Sequence, residues 1–316
     1  MSVAIMFPGQ GSQSVGMGTK LADEFSEARE VFREVDDALG QNLFKIISEG
    51  PEDQLTLTEN AQPALMAVSI ALIRVMEGQF GIDLASKFSF AVGHSLGEYS
   101  ALAAARALSL SDTARLLKTR GTAMQQSVPV GQGGMAAILG LDLEAAQGLA
   151  RAAAEGEVCT AANDNAPGQV VLSGHATAIS RAVNKASEFG ARRAVALQVS
   201  APFHCSLMQP AAEKMNEVLS STEIAAPCIP VLSNITVEPT REPALIKSLL
   251  VQQVTGMVRW RESILKLREL GVHKLIEVGA GSVLSGLAKR IDRDLESTAI
   301  NDPEGLKILS ENLANN

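Results

Sequence analysis

The residues best suited to chemistry surround Ser95, which stands in the segment Gly-His-Ser-Leu-Gly at positions 93–97. An alternating aromatic and β-branched run precedes this segment, and an Ala-rich run with strong helix propensity follows it. This order predicts a strand, a tight turn and a helix. Gly93 and Gly97 are small enough for strand and helix to close around a serine on the turn. A hydroxyl at a helix N-terminus, where free N–H groups favour negative charge, is a candidate nucleophile, although so short a pattern also arises by chance.

A serine nucleophile needs a base, and the best candidate among the four histidines is His204. His94 directly precedes the serine, His175 falls in a predicted turn, and His273 begins a late strand. His204 lies where a small subdomain is expected to join the rest of the chain, and clefts form at such junctions. Because a loop histidine is more often a surface residue than a base, this assignment depends on pairing with the serine.

Arg120 lies on the side of its predicted helix that should be buried, between Leu116 and Met124. Capping residues at 109–112 predict that this helix runs to position 126. A buried guanidinium must meet an anion, since leaving it unpaired is costly. Two interpretations stay open: a salt bridge to an internal Asp or Glu, or a substrate carboxylate held by the bidentate geometry of arginine. The second would distinguish an acyltransferase for diacids from an esterase.

The elements around these residues predict an α/β fold with one mostly parallel sheet. Residues 3–7 resemble a buried strand followed by a glycine-rich loop that has neither dinucleotide-binding spacing nor a Walker lysine. Such a loop lies at the carboxyl end of the sheet, so Gln10 or its neighbours should face Ser95. Residues 20–86 are expected to be mostly helical. Later strands near 229–233, 274–278 and 298–300, with helices at 245–254 and 261–270, should rejoin the sheet.

The middle of the chain predicts a separate small subdomain. Strands at 135–140, 158–162, 169–173 and 192–199, with helices at 143–155 and 176–189, give the order βαββαβ. We therefore predict a small subdomain at 131–199 inserted into a large domain formed by 1–130 and 200–316. The polar link at 163–169 is predicted to be a turn that reaches back toward the active site.

Composition limits the classes of function. The chain has 316 residues, a net charge of −8 and a pI near 5.2, which argues against a nucleic-acid partner. Three scattered cysteines are too few for a disulfide framework or a zinc site. The N-terminus has no basic segment typical of a signal peptide, and the apolar stretch 63–74 is too short to span a bilayer. We expect a soluble, cytoplasmic protein with no membrane partner.

Several separated motifs together resemble the malonyl-CoA:acyl-carrier-protein transacylase family over essentially the full length. They are Gly-Gln-Gly at 9–11, the Ser95 segment, Arg120 before Gly121, Asn165 with Pro-Gly-Gln at 167–169, Pro-Phe-His-Cys at 202–205 and Glu-Val-Gly-Ala-Gly at 277–281. The resemblance implies a large α/β-hydrolase-like domain carrying an inserted ferredoxin-like one, with the active site between them.

The resemblance also implies roles for individual residues. Ser95 would attack the malonyl thioester, His204 would be its base, and Arg120 would hold the free carboxylate. Gln10 and the backbone N–H of Leu96 would form the oxyanion hole. A main-chain carbonyl from the segment matching Gln253 would orient the histidine, in a role independent of the glutamine side chain. The expected supporting residues are Asn165, Met124 and Phe203.

Leu96 and Phe203 also bear on the choice of acyl group. In related acyltransferase domains an aliphatic residue after the nucleophile and a Phe before the histidine accompany a preference for malonyl. A bulky ring near the substrate α-carbon would exclude a methyl branch. Many free-standing members have Ser where this chain has Phe203.

The resemblance implies a ping-pong transfer from malonyl-CoA to acyl carrier protein, without a metal or cofactor and by a monomer. An enzyme of fatty-acid synthesis is the first hypothesis, and one that loads polyketide carrier proteins is the alternative. A serine hydrolase or thioesterase and a non-catalytic scaffold are the other classes. Because carrier proteins are usually acidic, the docking surface should be basic. Two pairs are candidates: Arg192 with Arg193, and Lys289 with Arg290.

Overall fold

The computed structural model of the chain describes residues 2–314, so the outermost positions of the predicted large domain, 1 and 315–316, lie outside the described residues. Two β-sheets and the helices packed on them make up the described part. Its strands are β1 Ser2–Phe7, β2 Phe90–Gly93, β3 Gly133–Leu139, β4 Cys159–Ala166, β5 Gln169–His175, β6 Arg193–Ala196, β7 Val231–Leu232, β8 Pro239–Thr240, β9 Val272–Val278 and β10 Glu296–Ile300.

The α-helices cover both sheets and include every long segment that was predicted to be helical. They are α1 Thr19–Glu24, α2 Ser26–Leu39, α3 Leu43–Glu49, α4 Glu52–Thr56, α5 Thr58–Phe80, α6 Leu84–Lys87, α7 Gly97–Ala104, α8 Leu110–Gln126, α9 Leu143–Ala154, α10 Ala176–Lys185, α11 Gln209–Ser221, α12 Pro243–Thr255, α13 Trp260–Glu269, α14 Val283–Ile291 and α15 Pro303–Ala314.

The larger sheet has the strand order β10-β9-β1-β2-β7-β8. Its first five strands are parallel, and only β8 runs antiparallel to its neighbour β7. This confirms the predicted mostly parallel sheet. Phe7 at the end of β1 pairs with Gly93 at the end of β2. The glycine-rich loop after β1 therefore lies beside the turn that carries Ser95, as expected for the carboxyl ends of neighbouring parallel strands.

The smaller sheet is antiparallel, with the strand order β4-β5-β3-β6. It packs with α9 and α10 around its own apolar cluster. Its edge strand β4 is attached to the loop before α13: Asp164 N–H donates to the Val258 carbonyl (3.0 Å), and Val258 N–H donates to the Ala162 carbonyl (2.9 Å). An ion pair between Arg261 and the buried Asp164 carboxylate, at 2.9 Å, reinforces this junction. The small sheet is therefore attached to the larger domain along this edge, and a cleft lies between the two sheets.

The largest differences from the sequence-based prediction in the small subdomain are at three elements, β4, α10 and β6. β4 continues to Ala166, so most of the predicted turn at 163–169 is strand, because its backbone pairs with β5 as far as Ala166. α10 ends at Lys185 and continues only as a 3₁₀ turn. β6 is shorter than predicted, since the chain after Ala196 leaves the sheet and lines the cleft.

Helix α5 is longer than the apolar stretch 63–74 suggested. The helix containing 63–74 has 23 residues and is long and apolar enough to cross a membrane by length and composition alone. However, 72% of its most apolar window is buried inside the protein. Burial of this kind is typical of the core helix of a globular fold, and α5 packs against α2 and α8.

Candidate active site

Ser95 occupies the tight turn between β2 and α7, as the sequence predicts. Its φ of 55° lies in the left-handed region, which a residue with a side chain rarely adopts. A Cβ on Gly93 would lie 1.9 Å from the Gly97 carbonyl carbon, and one on Gly97 would lie 2.3 Å from the Phe7 carbonyl oxygen. No side chain fits at either position. The two glycines therefore allow the turn that exposes the serine at the head of α7.

Asn234, in the segment after β7, holds this turn in place. Its side-chain Oδ1 accepts a hydrogen bond from Ser95 N–H at 2.8 Å, and its Nδ2 donates to the Gly93 carbonyl at 2.8 Å. The amide is fully buried, so both bonds are shielded from water. Sequence reasoning missed this residue. The available signal was an Asn directly after a predicted strand, 229–233, of the same sheet.

His204 is positioned as a base for Ser95. Its Nε2 lies 2.8 Å from the serine Oγ, while Nδ1 lies 2.9 Å from the Gln253 carbonyl oxygen and 3.1 Å from that of Gly256. Carbonyl oxygens only accept, so Nδ1 carries the hydrogen and Nε2 presents its lone pair to the serine. Burial, followed by the nearby charge of Arg120, lowers the pKa of His204 to about 3. The imidazole is therefore neutral at physiological pH.

The guanidinium of Arg120 is buried and points toward the nucleophile. Nη1 donates to Gln62 Oε1 at 2.8 Å, and Nη2 donates to Gln253 Oε1 at 2.9 Å and to Ser95 Oγ at 3.1 Å. All of these acceptors are uncharged. Within residues 2–314 this arginine forms no ion pair with an Asp or Glu, although burial lowers its pKa. The structure therefore shows no direct salt bridge at Arg120 among its described residues: Glu98 acts on the guanidinium only across the amide of Gln253, and every group bonded to Arg120 is neutral.

Gln253 contributes more than its main-chain carbonyl. That carbonyl contacts His204, as expected for a role independent of the side chain, and the side chain forms further contacts of its own. The amide Oε1 accepts from Arg120, while Nε2 donates to the Ser95 carbonyl at 3.0 Å and to Glu98 Oε2 at 2.7 Å. A long-range contact of this kind cannot be read from spacing, because the partners are separated by more than 130 residues.

Glu98 is the buried carboxyl of the site. It lies on α7 one turn after the nucleophile, and its Oε2 accepts from the side chain of Gln253 and, at 3.2 Å, from Asn234 N–H. Burial raises the pKa of Glu98 to about 7. The sequence held a signal for this residue, because a charged side chain in an Ala-rich run predicted to be buried needs a polar partner.

A cavity of about 360 Å³ opens beside Ser95, between the two sheets. Eight of the nine predicted site residues line it, namely Gln10, Ser95, Leu96, Arg120, Met124, Asn165, Phe203 and His204, while Gln253 lies buried behind them. On the small-sheet side, the cavity is also lined by Met135, Asn163, Val171, Leu197, Gln198 and Val199. The structure thus brings together residues that the sequence places up to almost 200 positions apart.

The supporting residues have identifiable contacts. Gln10 Oε1 accepts from the Thr58 hydroxyl at 2.9 Å, and that hydroxyl accepts from Gln62 Nε2 at 3.0 Å. A chain of hydrogen bonds therefore connects the loop after β1 to Gln62, which also binds Arg120. Gln62 was missed, although a polar residue at the start of a long apolar helix was a visible signal.

Leu96 and Asn165 complete the surroundings of the serine. Leu96 is the N-cap residue of α7, where backbone N–H groups lack intrahelical acceptors. The side-chain Oδ1 of Asn165 lies 2.9 Å from Nε2 of His94, which contacts Trp260 at a ring-centroid distance of 5.4 Å. Across the described part of the chain, no group of three or more His, Cys, Asp and Glu side chains could hold a metal ion.

An acyl group esterified to Ser95 would place its carbonyl at the N-terminus of α7 and its chain within reach of Arg120. The fold and the site therefore define the class of the protein as an acyltransferase. The model of the acyl transferase domain family matches residues 5–301.

The relatives give the particular family. The chain is 45% identical over 312 residues to the malonyl CoA-acyl carrier protein transacylase of Bacillus subtilis strain 168, covering 98% of this chain and 97% of that protein. It thus belongs to the malonyl CoA-acyl carrier protein transacylase family.

Two solved structures are similar throughout. The acyl-carrier-protein-S-malonyltransferase of Bartonella henselae superposes with a TM-score of 0.97 at 53% identity, with 99% of this chain and 100% of that chain covered. A malonyl-transacylase solved in complex with its type II PKS acyl-carrier protein superposes with a TM-score of 0.95 at 41% identity, with 99% and 100% covered.

Proposed function

We propose that the protein transfers the malonyl group of malonyl-CoA to the phosphopantetheine thiol of an acyl carrier protein, through a malonyl ester on Ser95. The observation that carries this proposal is the buried guanidinium of Arg120, 3.1 Å from Ser95 Oγ and bonded only to neutral acceptors. A malonyl group has its carboxylate one methylene from the reacting carbonyl, so that carboxylate can reach the arginine while the serine attacks. The names of the relatives agree with this choice of substrate.

In the first half-reaction, His204 Nε2 accepts the proton of the Ser95 hydroxyl while Oγ attacks the thioester carbonyl. The oxyanion is stabilised by the backbone N–H groups of Gln10 and Leu96, and one donor of this type is worth about 3 kcal/mol in comparable enzymes. The C–S bond then breaks, and the imidazolium returns the proton to the CoA thiolate. The product is malonyl-Ser95 and free CoA.

The second half-reaction reverses these steps with a different thiol. His204 accepts the proton of the carrier-protein thiol, the sulfur attacks the ester, and Ser95 leaves with the proton returned by the imidazolium. The chemistry uses only protein side chains and the two substrates, so we propose that no cofactor takes part. We propose that the protein acts as a monomer, because Ser95, His204 and Arg120 lie within hydrogen-bond distance inside a single chain.

The finer architecture also belongs to this proposal. We assign residues 1–130 and 200–316 to an α/β-hydrolase-like domain, supported by the parallel sheet and the serine turn. We assign residues 131–199 to a ferredoxin-like subdomain, supported by the βαββαβ order and the antiparallel strand order β4-β5-β3-β6. We place the protein in the cytoplasm, without a membrane or nucleic-acid partner.

The transfer would supply extender units for fatty-acid synthesis. Loading of a polyketide carrier protein is the alternative function. It is supported by the similarity of this chain to a transacylase solved in complex with a type II PKS acyl-carrier protein. For docking of an acidic carrier protein we propose the exposed pairs Arg192 with Arg193 and Lys289 with Arg290. Arg290 also donates to the Pro167 carbonyl at 3.4 Å, which connects it to the turn after β4.

Replacement of Arg120 by alanine tests the carboxylate-binding role. We expect Arg120→Ala to lower kcat/KM for malonyl-CoA by about a hundredfold or more, because a buried charge pair with the substrate is lost. Transfer of acetyl, which has no carboxylate, should be kept or increased. Arg115→Ala, at an exposed position of the same helix, is the matched control. Equal losses with malonyl-CoA and acetyl-CoA would contradict the proposal.

A further inference from the structure

Three polar side chains next to Ser95, those of Glu98, Gln253 and Arg120, are joined by hydrogen bonds. Glu98 Oε2 lies 2.7 Å from Gln253 Nε2, and the other end of the same amide, Oε1, lies 2.9 Å from Arg120 Nη2. All three side chains are at most 4% exposed. Because these side chains are almost wholly shielded from bulk water, the hydrogen bonds between them fix their relative orientation.

A glutamine amide can be placed in two orientations that have the same shape and opposite polarity. In the observed orientation, Nε2 of Gln253 donates hydrogen bonds to the Glu98 carboxyl and to the Ser95 carbonyl. Oε1 faces the guanidinium, which can only donate. Turning the amide over would place an NH₂ group against Arg120 and an oxygen against the Ser95 carbonyl. Glu98 thus supplies one of the two acceptors that fix the orientation.

We propose that Glu98 is a positioning residue for the selection of a carboxylate-bearing acyl group. It fixes the amide of Gln253, and that amide in turn holds the Arg120 guanidinium beside Ser95 Oγ. This inference rests on the proposed function, because it assumes that Arg120 binds the malonyl carboxylate. It adds a residue that touches neither the substrate nor the reacting atoms.

The role assigned to Glu98 is acceptance of a hydrogen bond, and it does not require a negative charge. Its Oε2 receives bonds from both Gln253 Nε2 and Asn234 N–H, and a glutamine carbonyl oxygen at this place could receive the same two bonds. The raised pKa of this buried carboxyl agrees with a group that works without a full charge. Glu98→Gln should therefore rescue the function that Glu98→Ala loses.

The test is a comparison of malonyl-CoA and acetyl-CoA as acyl donors to the full-length protein. Acylation rates would be measured for the wild type, Glu98→Ala, Glu98→Gln and Ser100→Ala. Ser100 is the matched control, since it is a buried polar residue of the same helix outside this series of contacts. Thermal unfolding of each variant would show that it is folded.

We expect Glu98→Ala to lower kcat/KM for malonyl-CoA by about tenfold, mainly through KM, because the amide of Gln253 loses its bond to Glu98 and holds the Arg120 guanidinium less firmly. Acetyl transfer should change by less than about threefold, because it does not use Arg120. Glu98→Gln and Ser100→Ala should both keep the wild-type ratio of malonyl to acetyl transfer.

Equal losses of malonyl and acetyl transfer in Glu98→Ala would overturn the inference, because they would indicate a general defect of the serine turn. The inference would also be overturned if Glu98→Gln lowered the ratio of malonyl to acetyl transfer as much as Glu98→Ala does. The negative charge of Glu98 would then be required. Failure of the proposed function looks different: the wild type itself would show no preference for malonyl-CoA. A selective wild type that depends on Arg120 but not on Glu98 would refute this inference alone.

Discussion

At the scale of single residues, the protonation state of His204 decides whether Ser95 can be activated. Two backbone carbonyls hold the hydrogen on Nδ1, and burial with the charge of Arg120 disfavours a second proton. The lowered pKa means that the folded protein binds this proton less readily than the unfolded chain does. Between pH 6.5 and about 3, the histidine therefore stays neutral in the fold at a cost in stability that grows as the pH falls.

The pH dependence of the first half-reaction follows from that state. We expect kcat/KM for malonyl-CoA, which reports the free enzyme, to stay level as the pH is lowered from 8 through 6.5, the ordinary pKa of histidine. It should fall only in more acidic solution. Stopped-flow acylation in buffers of matched ionic strength would measure this, with circular dichroism as the control for folding. A decline with a midpoint at the ordinary histidine value would contradict the described environment.

Sequence patterns identified the residues whose type and spacing indicate a chemical role. They did not identify residues whose roles depend on contacts with distant parts of the chain. Ser95 and Arg120 were visible from a glycine spacing and from a charge on the wrong face of a helix. Asn234 and Gln62 have common polar side chains, and their partners lie 139 and 58 positions away. Only the fold, which brings those partners together, shows what they do.

At the scale of elements, the serine turn depends on the close approach of β2, α7 and β1. Gly97→Ala would force a Cβ to within 2.3 Å of the Phe7 carbonyl oxygen, which is backbone and cannot move aside cheaply. We expect this change to lower the free energy of unfolding by about 2–3 kcal/mol and to slow acylation by displacing the turn. Urea unfolding and acylation rates measure both effects.

A matched glycine on another helix gives the control for that substitution. Gly286 lies in α14, and a Cβ there would have no neighbouring atom within 4 Å. Gly286→Ala should leave stability unchanged or raise it by about 0.5–1 kcal/mol, because alanine has the higher helix propensity. If Gly97→Ala were equally harmless, the close approach would not be essential to the turn.

The type of an element could be predicted where apolar residues recur at regular spacing over many positions. The residues at which elements begin and end could not be predicted in this way. The Ala-rich run after Ser95 and the capping residues before α8 located two helices correctly. The polar composition of 163–166 predicted a turn, yet β5 extends the strand through these residues by backbone pairing, which is independent of side-chain type.

At the scale of the whole molecule, the strand order explains why the site forms where it does. β1, β2 and β7 are adjacent and parallel, so the segments after them meet at one edge of the sheet. They carry Gln10, Ser95 and Asn234. The small antiparallel sheet covers this edge and contributes Asn165 to the cavity wall. The alternation of strands and helices predicted a parallel sheet, but it could not give this order.

Docking of the carrier protein is also a property of the whole surface, because the chain carries a net charge of −8. We expect reversal of both basic pairs, Arg192 with Arg193 and Lys289 with Arg290, to glutamate to raise the KM for acyl carrier protein by about tenfold. Acylation by malonyl-CoA should not change. Reversal of Lys214, exposed on α11, and Arg241, exposed in the loop before α12, provides the control. An unchanged KM in the fourfold variant would exclude these pairs as the docking surface.

The central claim is that Ser95 carries a malonyl group between two thiols, and intact-protein mass spectrometry tests it most directly. The protein would be exposed briefly to equal concentrations of malonyl-CoA and acetyl-CoA, alongside a Ser95→Ala variant. We expect one malonyl adduct on Ser95 of the wild type, stable in water and discharged when the carrier-protein thiol is added, and none on the variant. A predominant acetyl adduct, or a malonyl adduct that water removes as fast as the thiol does, would contradict it.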